Sequence, residues 1–73
     1  MTPYEQELVG KYFIFEDGNK IEVIQIKERD SEMDGLVPWV TYHITQGGGL
    51  PQKLVITMKE FISVYGHLFG LED

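Results

Sequence analysis

The chain has 73 residues, a formal net charge of −6 and neither cysteine nor alanine. This length allows a single globular domain, residues 1–73, and a hydrophobic content of 42% with 12% aromatics excludes a disordered segment. No apolar run approaches the length of a membrane helix, and the absence of cysteine excludes disulfides and thiolate metal sites. We therefore expect a cytoplasmic protein that uses no metal, cofactor or membrane.

The first predicted element is a short N-terminal helix. Residues 2–5 read Thr-Pro-Tyr-Glu, which is a capping box with Pro3 at the first helical position, where its missing N–H costs nothing. Gly10 is a natural end for this helix. The pattern therefore predicts one or two helical turns before the first strand.

Four strands follow and are predicted to form an antiparallel meander over residues 11–16, 20–29, 37–46 and 52–56. Asp17-Gly18-Asn19 is a strong hairpin signal between the first two strands. In the second strand the apolar residues change face between Val23 and Ile24, which indicates a bulge or a sharp bend. The acidic segment 30–35 and the glycines at 47–49 are predicted to be the remaining two connections.

The last predicted element is an amphipathic helix. Thr57-Met58-Lys59-Glu60 is a second capping box, and Gly70 is the expected stop. An apolar arc of about 160° is wider than the stripe of an ordinary surface helix, and it contains Met58, Phe61, Ile62, Val64, Tyr65, Leu68 and Phe69. Gly66 and His67 fall on the polar side. Such a broad face either packs deeply against the sheet or is shared with a second copy, in which case the contact residues are Phe61, Tyr65, Leu68 and Phe69.

The predicted fold class is mainly β (α+β). It is a curled four-stranded antiparallel meander or an SH3-like small barrel, with a short N-terminal helix and an amphipathic C-terminal helix. The runs Gly10 to Ile26, Trp39 to Ile44 and Met58 to Phe61 are similar in layout to small uncharacterised bacterial and phage proteins with SH3-like barrels. The chain departs from them by ending in a helix where a fifth strand should follow. The resemblance implies an adaptor that contacts protein or nucleic acid.

The charge is concentrated in the first half of the chain. Residues 1–35 carry four basic and nine acidic side chains, whereas residues 36–73 carry two and three. An acidic field repels phosphate, so we expect no direct binding of nucleic acid and favour a protein partner with a basic surface. A protein that mimics nucleic acid through rows of carboxylates is a further alternative.

Trp39, Tyr42 and His43 are the candidate binding residues. Tryptophan is the best affinity anchor in the chain because it buries a large rigid area and keeps one hydrogen-bond donor. The alternative is a core tryptophan. Neither His43 nor His67 has a metal-ligand spacing. As a catalytic base, His43 needs a second acid, which the carboxylates at Asp30, Glu32 or Asp34 supply only if the fold brings them close.

Two motifs resemble ion-binding loops and fall short of them. Residues 30–35 match the first half of a calcium-binding EF-hand loop, but Glu32 stands at position three and Thr41 at position twelve, where a glutamate is required. The glycines at 47–49 lack the lysine and the helix of a phosphate-binding loop. We expect both segments to be hairpin loops without a bound ion.

The sequence favours a non-enzymatic protein–protein interaction module of bacterial or phage accessory type. Its expected partner is a basic protein surface or a second copy of the chain. The alternatives are a small ligand-binding domain or enzyme that uses His43 with the carboxylates of residues 30–35, and the acidic nucleic-acid mimic.

Overall fold

The computed structural model describes residues 7–33 and 35–71. Its elements are β1 (Tyr12–Ile14), β2 (Lys20–Ser31), β3 (Gly35–Thr45), β4 (Gln52–Thr57), α1 (Met58–Tyr65) and a 3-10 helix (Gly66–Phe69). The strands form one antiparallel sheet in the order β1-β2-β3-β4. The predicted mainly β fold, a four-stranded meander followed by a C-terminal helix, is confirmed.

The sheet is open, because no pairing joins β1 to β4 among the described residues. The SH3-like barrel therefore stays a prediction. The predicted N-terminal helix starts at Thr2, and most of it lies outside the described residues. At its expected end, Gly10 has a left-handed φ of 91°, and its N–H donates to the carbonyl oxygen of Val23 at 2.9 Å.

The first hairpin turns where the sequence indicated. Gly18 takes a left-handed φ of 89°, and its N–H donates to the carbonyl of Phe15 at 3.0 Å. The carboxylate of Asp17 accepts from both the backbone N–H and the side-chain amide of Asn19, each at 3.0 Å. The side-chain oxygen of Asn19 in turn accepts from the N–H of Gly47 at 3.1 Å. This contact ties the glycine loop to the first hairpin.

The predicted irregularity in β2 is a β-bulge. Val23 pairs with Tyr42 and Gln25 pairs with Thr41, so that Ile24 has no partner on β3. The extra residue shifts the alternation of side chains by one. Ile26, which simple alternation places on the side away from Val23, is therefore buried on the same face as Val23.

The connection between β2 and β3 is shorter than predicted. Asp30 pairs with Leu36 and Ser31 pairs with Gly35, so both ends of the expected loop belong to the strands. The described turn residues are Glu32 and Met33. The hairpin register continues toward its tip because each further backbone pair satisfies its own donors and acceptors, whatever the side chains are.

Helix α1 starts at the predicted capping box. The hydroxyl oxygen of Thr57 accepts from the N–H of Glu60 at 3.2 Å. The ring of Phe61 lies 5.4 Å from that of Tyr42, which places α1 on the face of the sheet that carries Val40 and Tyr42. We call this face the inner face and the opposite one the outer face.

The helical segment stops at Gly70 as predicted, with a left-handed φ of 75° there, but its last turn is not α-helical. The α-helix ends at Tyr65, and the chain continues as the 3-10 helix. The carbonyl of Gly66 accepts from the N–H of Gly70 and from that of Leu71, the latter at 2.7 Å. Gly66, predicted on the polar side, is buried, because a Cβ there would lie 2.7 Å from the carbonyl oxygen of Leu71. Val64, predicted in the apolar arc, is more than half exposed.

The core lies between the inner face and the C-terminal helices. Its buried hydrophobic residues are Leu8, Ile21, Val23, Ile26, Val40, Tyr42, Met58, Phe61 and Leu71. Phe61 is central, because its ring also lies 5.4 Å from that of Tyr65 and 5.8 Å from that of Phe69. The helix face predicted for self-association is thus already used for packing within the chain.

Candidate binding surfaces

The three candidate binding residues do not share one surface. Alternation along β3 places Trp39 and His43 on the outer face and Tyr42 on the inner face. Tyr42 is buried in the core, whereas Trp39 and His43 are half-buried. Only Trp39 and His43 can therefore contribute to a binding surface on the sheet.

Tyr42 serves packing instead. Its ring makes edge contacts with Phe61 and with Tyr65, at 5.4 and 5.5 Å between centroids. Burial, together with a side-chain hydrogen bond with Tyr65, raises the pKa of the Tyr42 phenol to about 12. The hydroxyl is therefore held in its neutral form across the physiological range.

Trp39 lies on the outer face at the level where β4 ends. It is in register with Lys27 on β2 and with Thr57 on β4. Its indole Nε1 is buried and makes no hydrogen bond to any described residue. A buried donor without a partner is unfavourable by about 1–3 kcal/mol, and such groups in native structures call for an explanation.

His43 is separated from the carboxylates near the β2–β3 turn. It is in register with Glu22 and Lys53, whereas Asp30 lies opposite Leu36. Leu36 and His43 are seven positions apart on β3, which is roughly 23 Å at 3.3 Å per residue. The structure thus does not bring His43 together with Asp30, and Asp34, another of the predicted acids, lies outside the described residues.

The two ion-binding motifs are parts of hairpins. Thr41, at the twelfth position of the calcium-type motif, is buried within β3 opposite Gln25. No group of three or more metal-ligating side chains occurs among residues 7–33 and 35–71. In the glycine loop, the N–H groups of Gly47 and Gly49 are already bonded, to Asn19 and to the carbonyl of Gln46.

The outer face has a charge opposite to that of the whole chain. Four of the six basic residues project from it, and Glu22 is its one described acidic residue. The four basic residues are Lys20, Lys27, Arg29 and Lys53. The sequence analysis missed this segregation because it summed charge along the chain. Strand alternation, with the bulge at Ile24 included, is the signal that could have found it.

The described carboxylates elsewhere lie on several elements. Glu28 and Asp30 project side by side on the inner side of β2, whereas Glu16 and Asp17 lie at the first hairpin and Glu60 lies in the first turn of α1. A mimic of nucleic acid needs a longer row of carboxylates spaced like phosphates, and the pair on β2 is confined to one hairpin.

The β2–β3 hairpin extends beyond the rest of the sheet. β1 pairs only with residues 20–22 of β2, and β4 pairs with residues 39–44 of β3. We define the arm as residues 28–31 and 35–38 with the turn residues Glu32 and Met33. Among the described residues its strands pair only with each other, and the molecule measures 38 × 23 × 18 Å.

The arm exposes large apolar side chains. Met33 is 92% exposed and Leu36 is 70% exposed. Asp30 and Glu32, which are also exposed, lie beside them. The arm therefore combines apolar groups with negative charge, outside the packed core.

Comparisons with known proteins give no match. No protein-family model matches the chain, and no curated protein or solved structure shows significant similarity to it. In the described part of the chain, no helix is long and apolar enough to cross a membrane.

Proposed function

We propose that the chain is a non-enzymatic interaction module that binds a partner protein through the arm. The observation that carries the proposal is the exposure of Met33 and Leu36 on a hairpin that leaves the sheet. A two-stranded hairpin is marginally stable alone, and exposed apolar groups on such an element are typical of contact sites.

The charge of the arm indicates the partner. Asp30 and Leu36 face each other on the inner side, with Glu32 at the tip. An apolar pocket rimmed by lysine or arginine fits this combination, because opposite charges steer the encounter and an apolar contact supplies affinity. The partner is therefore a protein with a basic surface, and a second copy of the chain is the alternative occupant.

The finer features predicted from sequence belong to this proposal. They are a bacterial or phage accessory role, a cytoplasmic location and the SH3-like relationship. Self-association, if it occurs, uses the arm rather than α1, because Phe61 and Tyr65 already pack within the chain.

The test compares exposed apolar side chains inside the arm with one outside it. Immobilised wild-type chain, the double variant Met33→Ser/Leu36→Ser and the control Leu50→Ser are each exposed to a lysate of the source cells. Leu50 is 92% exposed but lies outside the arm, in the connection before β4. Captured proteins are quantified by mass spectrometry, and the chain alone is examined by sedimentation.

We expect a defined basic protein that is captured by the wild type and by Leu50→Ser and lost by the double variant. Its capture should also weaken as salt rises, because the charged part of the contact is screened. Equal capture by all three chains would contradict the proposal. A wild-type dimer that dissociates in the double variant would identify the second copy as the occupant.

A further inference from the structure

We propose that the outer face of the sheet binds single-stranded nucleic acid. This surface is separate from the apolar side of the arm and does not depend on the protein partner proposed above. It joins basic side chains to one exposed ring, that of Tyr12, and to the half-buried rings of Trp39 and His43, and no helix among the described residues covers it.

The local charge of the outer face favours phosphate. Its basic residues span most of its length, from Arg29 near the arm to Lys20 near the first hairpin, with Lys53 on the edge strand β4. Glu22 is their one described acidic neighbour, and one of its oxygens lies 3.8 Å from Nζ of Lys20. At physiological salt, interactions between exposed charges fade beyond about 8 Å. The net charge of −6 therefore matters less to a phosphate on this face than these nearby cations do.

Rings lie among the cations on the same face. Tyr12 is 58% exposed, and Nζ of Lys20 lies 4.8 Å from the centre of its ring. Trp39 is in register with Lys27, and His43 is in register with Lys53. Strand geometry separates Trp39 from His43 by roughly 13 Å and His43 from Tyr12 by roughly 10 Å. Bases stack on aromatic rings, while the backbone phosphates follow nearby lysines and arginines.

These features favour a single strand over other anionic partners. An acidic protein would pair with the cations but has no general need of rings spaced between them. A duplex hides the faces of its bases, so Trp39 and Tyr12 could not stack on them. Near the centre of the face, Gln25 and Thr41 are in register and carry no charge. Neither of them adds a negative charge between the rings.

The fluorescence of Trp39 reports binding to this face, because Trp39 is the single tryptophan of the chain. We would titrate the full chain with a twelve-residue oligothymidylate and follow both tryptophan emission and the anisotropy of a labelled oligonucleotide. Duplex DNA of the same length and a poly-glutamate peptide are the competing ligands. Titrations at 50 and 200 mM salt measure the number of phosphates contacted.

We expect oligothymidylate to quench Trp39 emission and to bind more tightly than the duplex or the peptide. With three to four phosphates contacted, affinity should fall roughly 20- to 50-fold between the two salt concentrations, from a slope of about −0.7 per phosphate. Tighter binding of poly-glutamate than of oligothymidylate would overturn the proposal in favour of an acidic protein. Absence of binding to any of the three would overturn it as well.

Matched variants distinguish the effect of cations on the outer face from the effect of net charge on affinity. Lys27→Ala/Arg29→Ala removes two cations from the outer face, whereas Lys11→Ala/Lys59→Ala removes two that precede β1 or lie on α1. We expect at least a tenfold loss of affinity for the first pair and less than a threefold loss for the second. Equal losses would show an unspecific charge effect and would contradict the proposal.

Two single variants test the ring and the acidic neighbour. Trp39→Phe should keep most of the affinity measured by anisotropy, and Trp39→Ala should lose several-fold, because a ring is required for stacking. Glu22→Gln should tighten binding a few-fold, since it removes the carboxylate from a phosphate path. Circular dichroism checks that each variant is folded. A tighter complex with Trp39→Ala, or a weaker one with Glu22→Gln, would speak against this geometry.

Discussion

The inner and outer faces of the sheet take their residues from the same strands but differ in burial and charge. On β3, Val40 and Tyr42 are buried against α1, whereas Trp39 and His43, their neighbours in sequence, are half-buried on the other side. The inner face is apolar where it packs against α1 and carries Glu28 and Asp30 in the arm, whereas the outer face holds most of the basic residues of an acidic chain. Strand alternation thus separates buried from half-buried side chains within one short segment, and substitutions on the two faces should have separable effects.

The largest difference between the faces is expected from Phe61→Ala compared with Trp39→Ala. Phe61 is fully buried and contacts three other rings, so its truncation should lower the free energy of unfolding by about 3–5 kcal/mol. Trp39 is half-buried on the open face, so its loss should cost less than half as much. Urea denaturation followed by circular dichroism measures both values. Equal destabilisation would mean that the outer face is part of the core.

The next effect in size is a loss of stability at alkaline pH that depends on Tyr42. In the unfolded chain a tyrosine ionises near pH 10, whereas in the folded chain the pKa of Tyr42 is raised to about 12. Stability is therefore complete below pH 10 and falls as the pH rises toward 12, by roughly 2–3 kcal/mol, because only the unfolded state ionises freely in that window.

The control for this pH effect is Tyr42→Phe, which keeps the ring and removes the ionisable group. Its free energy of unfolding should be less sensitive to pH between 10 and 12 than that of the wild type. In the Tyr42→Phe chain, the absorbance of ionised tyrosine at 295 nm should rise less at the alkaline end of the titration, because the tyrosine that ionises last is missing. Identical alkaline profiles of the two chains would place the hydroxyl of Tyr42 in water and contradict its burial.

Much of the sheet and of α1 could be predicted from sequence, because the signals for their turns, cap and bulge are local. Gly18 marked the first hairpin, Thr57 marked the start of α1, and the change of phase at Ile24 marked the bulge. Each of these signals acts within a few residues, through a glycine conformation, a cap or the alternation of side chains. Gly66 was misassigned because its burial depends on Leu71 folding back onto it, which no periodicity contains.

The outer face was harder to predict because its character depends on register. Lys27 and Trp39 are twelve positions apart in the chain, and only the pairing of β2 with β3 makes them neighbours. A net charge summed along the chain hides such grouping. Tyr42 was grouped with Trp39 as a binding residue by proximity in sequence, although alternation separates them.

A smaller effect on stability is expected at Gly66, where the C-terminal segment packs against the 3-10 helix. A methyl group there would meet the carbonyl oxygen of Leu71 at 2.7 Å, so Gly66→Ala must displace backbone. We expect a net loss of about 1–2 kcal/mol, since the strain exceeds the gain in helix propensity. Gly48→Ala is the control, because a Cβ at Gly48 has no atom within 4 Å and should change stability by less than about 0.5 kcal/mol. A Gly66→Ala chain as stable as the control would show that Leu71 is not held against this turn.

The smallest effect is expected at Thr57, where the two faces meet. Thr57 is in register with Trp39 at the end of β4, and its hydroxyl caps α1 by accepting from the N–H of Glu60. Thr57→Val keeps the shape of the side chain and loses the cap, which should cost about 1 kcal/mol and speed amide exchange at Glu60. Thr57→Ser keeps the cap and loses only a methyl group beside Trp39, so stability should change little. If Thr57→Ser were instead the more damaging variant, packing of the Thr57 methyl group on the outer face would contribute more to stability than the cap of α1.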